Sequence, residues 1–433
     1  MGLRQKVKSR VFRQTAGSFL PWGLIQMKIL EVAEFYSERG GGVRTYINRK
    51  FAAATAAGHQ LVLIAPGPSD RIETRSGGKV YWVKSPAIPF DPRYHLFWRQ
   101  EPIDEIVAAE NPDFIEGSSP WRGAWFAGRQ PARIPKALVI HQDPVLTYPR
   151  TILRNLAPEQ SIDRMFAWFF LYMRKLQRLF DTSVVASSWL SARLTQLGLT
   201  APQIVPFGVN KDEFRLTQYC SDLRRQMLQS CGVNADSGRL LITISRHHPE
   251  KRIPLLMEAA AKAGKSRPIG LYIVGDGPIR NRIDRLAGKF GGTHIAGFVS
   301  DRNRLSAMLA SSDAYIHGCP AETYGLVIGE ALCAGLPLVV PATGGAAELA
   351  TDSCAEFFTP DDVDACANAI ERIFARDPAQ LRRRALEQAA AISTTTDHFT
   401  TLFRLYETVI EQKSMYTPFV EQTAIGRDIA FAN

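Results

Sequence analysis

Two glutamates stand eight residues apart in the segment Glu322-Thr-Tyr-Gly-Leu-Val-Ile-Gly-Glu330-Ala-Leu-Cys-Ala-Gly335-Leu-Pro. The pattern reads as a loop after a strand that runs into a helix ending near Ala334, with Gly335 just beyond its last turn. A glycine at position 325 lets a ligand approach the backbone, and the unpaired amides of a helix start suit an anion. If both glutamates are helical, they lie about two turns apart on roughly one side. Read alone, Glu330 also fits a solvated helix position, and Glu322 an acid at a helix entry.

A second cluster, Ser245-Arg246-His-His-Pro-Glu-Lys251-Arg, directly follows the apolar run Leu240–Ile244. An arginine and a lysine at the carboxyl end of a strand can grip a diphosphate through charge-assisted hydrogen bonds. A solvated basic loop is the plain alternative. His247 and His248 lack a third ligand at metal-binding spacing and are read as non-ligands. A third cluster, Gly40-Gly41-Gly42, precedes a helical stretch. Its order is not that of the dinucleotide fingerprint, and the downstream ribose-binding acid is missing, which argues against a dehydrogenase.

These clusters need a frame that presents strand ends to a common space. Apolar runs at Lys28–Ala33 and Leu61–Pro66 are followed by strand-like runs at Val80–Val83, Asp113–Glu116, Ala137–His141 and Ser183–Ala186, separated by segments of helix length. The pattern restarts after Ile204–Asn210, with runs at Leu240–Ser245, Leu271–Val274, Ala314–His317 and Leu338–Val340. Continuous apolar runs alternating with helices predict parallel sheets covered on both faces, here as two doubly wound α/β halves. Ligands of such sheets sit at the carboxyl ends of the strands. Four hundred and thirty-three residues suffice for two such domains. With 45% apolar and 22% charged residues, the composition excludes collagen, coiled coil and wholesale disorder. No run of apolar residues is long enough for a membrane span. The net charge of +10 suits a nucleic acid, an anionic membrane face or a phosphorylated substrate, and no nucleic-acid-binding signature supports the first. Six cysteines without a CxxC pair predict a reducing compartment.

Taken together and in this order, the clusters resemble the retaining glycosyltransferases of family four. The resemblance runs from Met27 to about Tyr406. It is carried by the glycine-rich loop, PFGVNKDEF (Pro206 to Phe214), SRHHPEKR, VGDGP (Val274 to Pro278), GFV (Gly297 to Val299) and the Glu-x7-Glu segment. It implies the GT-B fold, two Rossmann-like doubly wound domains facing a central cleft. Residues 1–26, ahead of the resemblance, read as a basic surface-binding extension or equally as a solvated tail; 27–205 would be the acceptor domain, 206–390 the nucleotide-sugar domain, and 391–433 a helix crossing back to the first domain plus a tail. By position, Arg246 and Lys251 would bind the donor diphosphate, Glu330 the ribose hydroxyls and Glu322 the transferred sugar. The amides of Tyr324, Gly325 and Leu326 would complete the cradle, and Phe298 and Val299 would border the base. Gly41 and Gly42 would face the diphosphate from the other domain, and His141 resembles the family's active-site histidine. Tyr324 stands where phenylalanine is common. No metal or other cofactor is implied; the nucleotide-sugar is a co-substrate.

Val139–Arg150 resembles loops of lipid- and polysaccharide-directed members, which implies a lipid-linked or saccharide acceptor. The stretch Ser161–Phe180, read as one helix, puts Arg164, Arg174, Lys175 and Arg178 within an arc of about 100° beside aromatic residues. With the basic first 26 residues, which hold no acid, this suits an anionic membrane surface and a peripheral place at the inner face of a membrane. A core helix with one exposed basic edge is the alternative. A sulfoquinovosyl-type synthase using a modified UDP-sugar, and a catalytically silent nucleotide-binding module of the same fold, are the competing functional readings.

Overall fold

Strand order decides where chemistry can sit, and two sheets set it. The computed structural model describes residues 26–38, 42–89, 91–153 and 156–428, with side chains left aside at 91–93 and 416–428. The chain forms β1 (Lys28–Ala33), β2 (Gln60–Gly67), β3 (Arg71–Arg75), β4 (Gly78–Lys84), and a separate pair, β5 (Ala87–Ile88) with β6 (Asp91–His95). β7 (Phe114–Ser118), β8 (Lys136–Val139), β9 (Thr182–Val185) and β10 (Gln203–Ile204) complete the first sheet, ordered β10-β9-β8-β7-β1-β2-β4-β3. The second sheet comprises β11 (Arg239–Ile244), β12 (Ile269–Val274), β13 (Thr293–Gly297), β14 (Ala314–Ile316), β15 (Leu338–Pro341) and β16 (Ala355–Phe358), ordered β13-β12-β11-β14-β15-β16. Pairing in both sheets is parallel except where the polar edge strand β3 returns along β4.

In each sheet the chain winds outward from a central strand, crosses over and winds the other way. The reversals fall between β1 and β7 and between β11 and β14, and there the strand ends open a crevice. The strands on either side are buried along nearly their whole length, as strands covered on both faces require. Edge strands β3, β13 and β16 carry mixed residues, RIETR, THIAG and AEFF, which give no such signal.

The chain passes between the sheets twice, and the passages run side by side. Val209 pairs with Thr394 in an isolated parallel bridge. A Cβ on Gly208 would stand 1.9 Å from the carbonyl oxygen of Thr394, so a residue without a side chain is needed there. After the second passage the helix Thr395–Asp428 packs Phe399, Leu402, Phe403, Tyr406 and Val409 into the core of the first sheet.

That core also holds charge. Glu31 of β1 and Glu116 of β7 are direct neighbours in the parallel register, and both are fully buried. Two like charges side by side would repel strongly. Lys50, from the helix Gly42–Ala56, lies between them, 2.9 Å from Glu31 and hydrogen-bonded to Glu116. Tyr406 donates its hydroxyl to Glu116, and Ser118 donates to Glu31 at 2.7 Å. Burial and the neighbouring Glu116 raise the Glu31 carboxyl; against its own burial, the two acids raise the Lys50 ammonium. Lys50→Met leaves two buried acids without a cation and is expected to cost about 3–5 kcal/mol. Tyr406→Phe removes one hydrogen bond to a charged group and is expected to cost about 1–3 kcal/mol. Urea unfolding of the two variants should show that ranking.

Candidate active site

A cavity of about 260 Å³ opens at the reversal of the second sheet. Arg246, Lys251, His317 and Glu322 line it, with Phe207 and the run from Thr323 to Ile328. Lys251 ends a single 3-10 turn, Pro249–Lys251, beyond β11. Its Nζ donates to Glu322 Oε2 at 2.8 Å. Burial disfavours this ammonium, yet Glu322, with Cys319 and Glu250, holds it well above the usual lysine range. Conversely, burial would raise Glu322, and Lys251 with His317 holds its carboxyl well below the usual range. The pair is therefore ionised at neutral pH. Arg246 is exposed at the cavity's edge.

Glu322 is not helical. The helix is Leu326–Cys333, entered through Gly325 at φ 89°, so only Glu330 of the two glutamates lies on it. The supposition of one helix carrying both fails because Gly325 turns the chain between them. Beyond the helix Gly335 takes φ 77°, in the place expected for a terminating glycine. Glu330 is not among the lining residues and is 8% exposed. Its Oε1 accepts from Arg302 Nη2 at 2.8 Å, and Arg302 also holds Glu213 through Nε at 2.9 Å and Nη2 at 3.1 Å. Burial raises the Glu330 carboxyl, and Arg302 opposes that.

Among the remaining candidates, Tyr324, Gly325 and Leu326 border the cavity, whereas Phe298 and Val299 stand apart from it after β13. Phe298 is 76% exposed, and Val299 packs on the second core. Gly42 begins the helix Gly42–Ala56, with open space around its Cα; Gly41 lies outside the described residues. His141 follows β8 in the other lobe. Its ring stacks on Phe207 at 6.0 Å between centroids, and Phe207 in turn meets Tyr324 edge-on at 5.5 Å. The lobes thus join through aromatic rings, to which Tyr46 and His398 add theirs. The lobes also meet where Ser188 and Trp189, at the start of the helix Ser188–Gln196, donate their amides to Glu348.

Sequence reasoning missed Arg302, Glu213, His317 and Phe207. Phe207 lay inside a quoted motif, but nothing in the order of residues says which ring meets which. His317, Cys319 and Glu322 bring a nitrogen, a sulfur and an oxygen within 4.8 Å of one another. The ammonium of Lys251 already serves that carboxylate, and burial pushes the Cys319 thiol up to about 12, so the residues fit a paired cation better than a metal.

The stretch Ser161–Phe180 is not one helix. It breaks at Phe166 (φ −99°, ψ 17°) into Glu159–Met165 and Ala167–Gln177. Phe169, Phe170, Met173 and Leu176 point into the core. Met165, Trp168 and Leu171 are at least half exposed, beside the exposed Arg164, Lys175 and Arg178. The outward face is therefore mixed apolar and basic rather than a basic stripe alone.

The sequence matches the family profile Glycosyltransferase Family 4 over residues 40–213 and the profile Glycosyl transferases group 1 over residues 232–391. The chain belongs to the family 4 glycosyltransferases and has their GT-B fold. This glycosyltransferase is 28% identical to the GDP-mannose-dependent alpha-(1-6)-phosphatidylinositol dimannoside mannosyltransferase of Mycobacterium tuberculosis, over 85% of this chain and 93% of that one. It is 24% identical to sulfoquinovosyl transferase SQD2 of Arabidopsis thaliana, over 69% of this chain and 57% of that one. Its fold is shared with sucrose-phosphate synthase from Thermosynechococcus elongatus, with a TM-score of 0.69 at 21% identity, over 89% of this chain and 100% of that one.

Burial lowers the His141 imidazole to about 4, with Lys50 adding to the effect and Glu116 opposing it. A group with a depressed folded pKa contributes stability above its unfolded value of about 6.5 and loses it as the pH falls toward 4. The stability difference between the wild type and His141→Gln should therefore shrink by about 2–3 kcal/mol between pH 7 and pH 4.5. Urea titrations of both proteins across that range check it.

Proposed function

We propose that this glycosyltransferase moves a hexosyl group, with retention of anomeric configuration, from a UDP- or GDP-linked sugar to a lipid-linked or saccharide acceptor in glycolipid or polysaccharide synthesis. One observation carries the reading: at the reversal of the second sheet, a half-buried ammonium, an exposed guanidinium and a helix start all border one cavity. When the anomeric C–O bond breaks, its electron pair goes to the β-phosphate oxygen, and the sugar takes on oxocarbenium character. Lys251, Arg246 and the amides at Gly325 and Leu326 stabilise the charge growing on the leaving diphosphate. Because they are fixed before the reaction, little reorganisation accompanies the step. The acceptor oxygen attacks from the face the diphosphate leaves, and its proton passes to the departing phosphate oxygen. Glu322, held by Lys251 through one oxygen, keeps the other for a hydroxyl of the transferred sugar. His141 faces the sugar from the first lobe. Two side-chain cations supply the role a metal would otherwise take, so the reaction is proposed to need none.

The names of the relatives favour mannose as the sugar and guanine as the base. The sulfoquinovosyl relative supports a modified UDP-sugar as the second reading. Arg246→Ala should lower kcat/KM by roughly 10²–10³-fold with the melting temperature unchanged, since the residue is exposed. Transfer from GDP-mannose and UDP-sugars to phosphatidylinositol mannosides, with EDTA present, measures this. Near-normal turnover of the variant would overturn the assignment, and an inverted product in the proton NMR spectrum would overturn retention.

We place the enzyme as a peripheral protein on an anionic membrane, at the cytoplasmic face where nucleotide-sugars are made. No helix among the described residues is long and apolar enough to cross a membrane. The support is the face formed by Met165, Trp168 and Leu171 with Arg164, Lys175 and Arg178, together with the exposed Ile152 and Leu156 nearby in the chain. Tyr148, in the same region, meets His248 of the second lobe, which puts this face beside the cleft. Apolar side chains among cations suit the boundary between headgroups and acyl chains. Co-sedimentation with phosphatidylglycerol vesicles should fall at least several-fold in Trp168→Glu/Leu171→Glu, and equal binding by the two proteins would remove this placement.

A further inference from the structure

We infer that Arg302 is a positioning residue for the nucleotide's ribose: it fixes the Glu330 carboxylate so that the free oxygen meets the ribose hydroxyls. The inference rests on the proposed donor site, and specifically on Glu330 as the group that takes those hydroxyls. It goes beyond that reading by assigning a role to a residue outside the Glu-x7-Glu segment and outside the cavity lining.

The geometry is that of a clamp. Arg302 is the first residue of the helix Arg302–Ala310, whose start is capped by Asp301 through the amides of Asn303 and Arg304. The cap fixes the backbone from which the guanidinium extends. Three hydrogen bonds then hold that guanidinium, two to Glu213 and one to Glu330 Oε1. Its plane also lies over the Phe214 ring, 4.7 Å from the centroid. At the side chain, Glu213 is 19% and Glu330 10% exposed, so the acids are largely shielded from water, while Arg302 itself is 35% exposed.

A planar guanidinium held by two acids and a ring has little rotational freedom left. The carboxylate it holds is correspondingly fixed. One oxygen of Glu330 is engaged, and the carboxylate's remaining lone pairs can accept from a vicinal diol. Without Arg302, the buried Glu330 would tend to protonate and turn, because burial already raises it. The clamp also touches the other lobe. Arg49, one residue before the buried Lys50, lies 3.5 Å from Glu213. The ribose carboxylate is thus joined, through Arg302 and Glu213, to the first-lobe helix that begins at Gly42.

A positioning role predicts a loss specific to the ribose hydroxyls. The test is calorimetric binding of GDP and its 2′,3′-dideoxy analogue, with the UDP pair in parallel, to the wild type, Glu330→Gln, Arg302→Met, Arg302→Lys and Glu213→Gln. Methionine keeps an apolar stem over Phe214 and removes the fork. Glu213→Gln loosens the guanidinium from its far end without leaving a buried acid unpaired, and so carries the test should Arg302→Met fold poorly. The wild type should prefer the ribose form by roughly 10- to 100-fold, the worth of hydrogen bonds to a charged acceptor. Glu330→Gln should abolish most of that preference. Arg302→Met should reduce it at least fivefold and Glu213→Gln less, while affinity for the dideoxy form changes little. Lysine, a point charge without the fork, should restore it only in part. A preference unchanged in both Arg302→Met and Glu213→Gln, but lost in Glu330→Gln, overturns the positioning role alone. A preference that survives Glu330→Gln overturns the ribose reading of Glu330, and the inference with it.

Discussion

The fold turns on one buried cation. Lys50 is fully enclosed between two glutamates that parallel pairing forces side by side, and each acid has a second partner from elsewhere in the chain. A buried ion cluster of this kind is weak as a source of net stability but strict about geometry, because removing any member strands the others. The strictness has a long reach here. Tyr406 is 290 residues from Glu116 in sequence, and its hydroxyl ties the last long helix to the central strands of the first sheet. That helix begins beside the second passage between the lobes, where Gly208 and Thr394 press together. The placement of the two lobes therefore depends on whether the end of the chain can close the charge cluster in the first.

The same cluster borders the aromatic junction of the lobes. Ser118, which holds Glu31, lies 3.4 Å from His141 Nε2. Tyr46 lies between His141 and His398, with its hydroxyl 3.1 Å from His398 Nε2, and the other nitrogen of His398 meets the carbonyl of Pro206 at 2.8 Å. Burial lowers both imidazoles to about 4, so the rings are neutral and pack as aromatic bodies. Neutrality matters because a second and third cation beside Lys50 would break the balance with its two acids. The junction of the lobes is in this sense a neutral aromatic layer between two charged compartments: the ion cluster below and the Lys251–Glu322 pair across the cleft.

Most of the sheet framework was legible because parallel strands buried on both faces are largely apolar: Leu61–Pro66 and Leu271–Val274 follow that rule, and Glu31 within Lys28–Ala33 departs from it only because Lys50 and Ser118 serve its charge. Strands that escaped, such as Arg71–Arg75 and Thr293–Gly297, lie at edges, where one side has no neighbour and mixed residues are tolerated. Arg246, Lys251 and the 322–326 run could be singled out because short spacings after strands leave few places for them to go. Arg302 could not. Its partners are 89 and 28 residues away, and nothing local distinguishes it from the many arginines on solvated helices. Nor could Lys50 be read as a core residue, since a lysine in an amphipathic helix normally faces water. The split of Ser161–Phe180 was hidden for the opposite reason: both pieces are good helix, and no glycine or proline stands at Phe166 to mark the break.

Net charge and local charge point in different directions, and the contrast bears on how the cleft binds anions. The chain carries ten more cations than acids, yet the cations nearest the cavity are mostly paired: Lys251 with Glu322, Arg302 with Glu213 and Glu330. Pairing keeps these side chains in place before any ligand arrives, so a diphosphate meets fixed groups rather than ones it must first order. It also tempers the pull of the site on anions in general, since each acid offsets part of its partner's field. On the proposed donor site, a ligand would gain most by replacing that compensation at several points at once: phosphates beside Lys251 and Arg246, and hydroxyls on Glu322 and Glu330. Selectivity for a nucleotide-linked sugar over inorganic phosphate would then follow from the spacing of the acids as much as from the cations, because only the former distinguish a hydroxylated ligand from a bare anion.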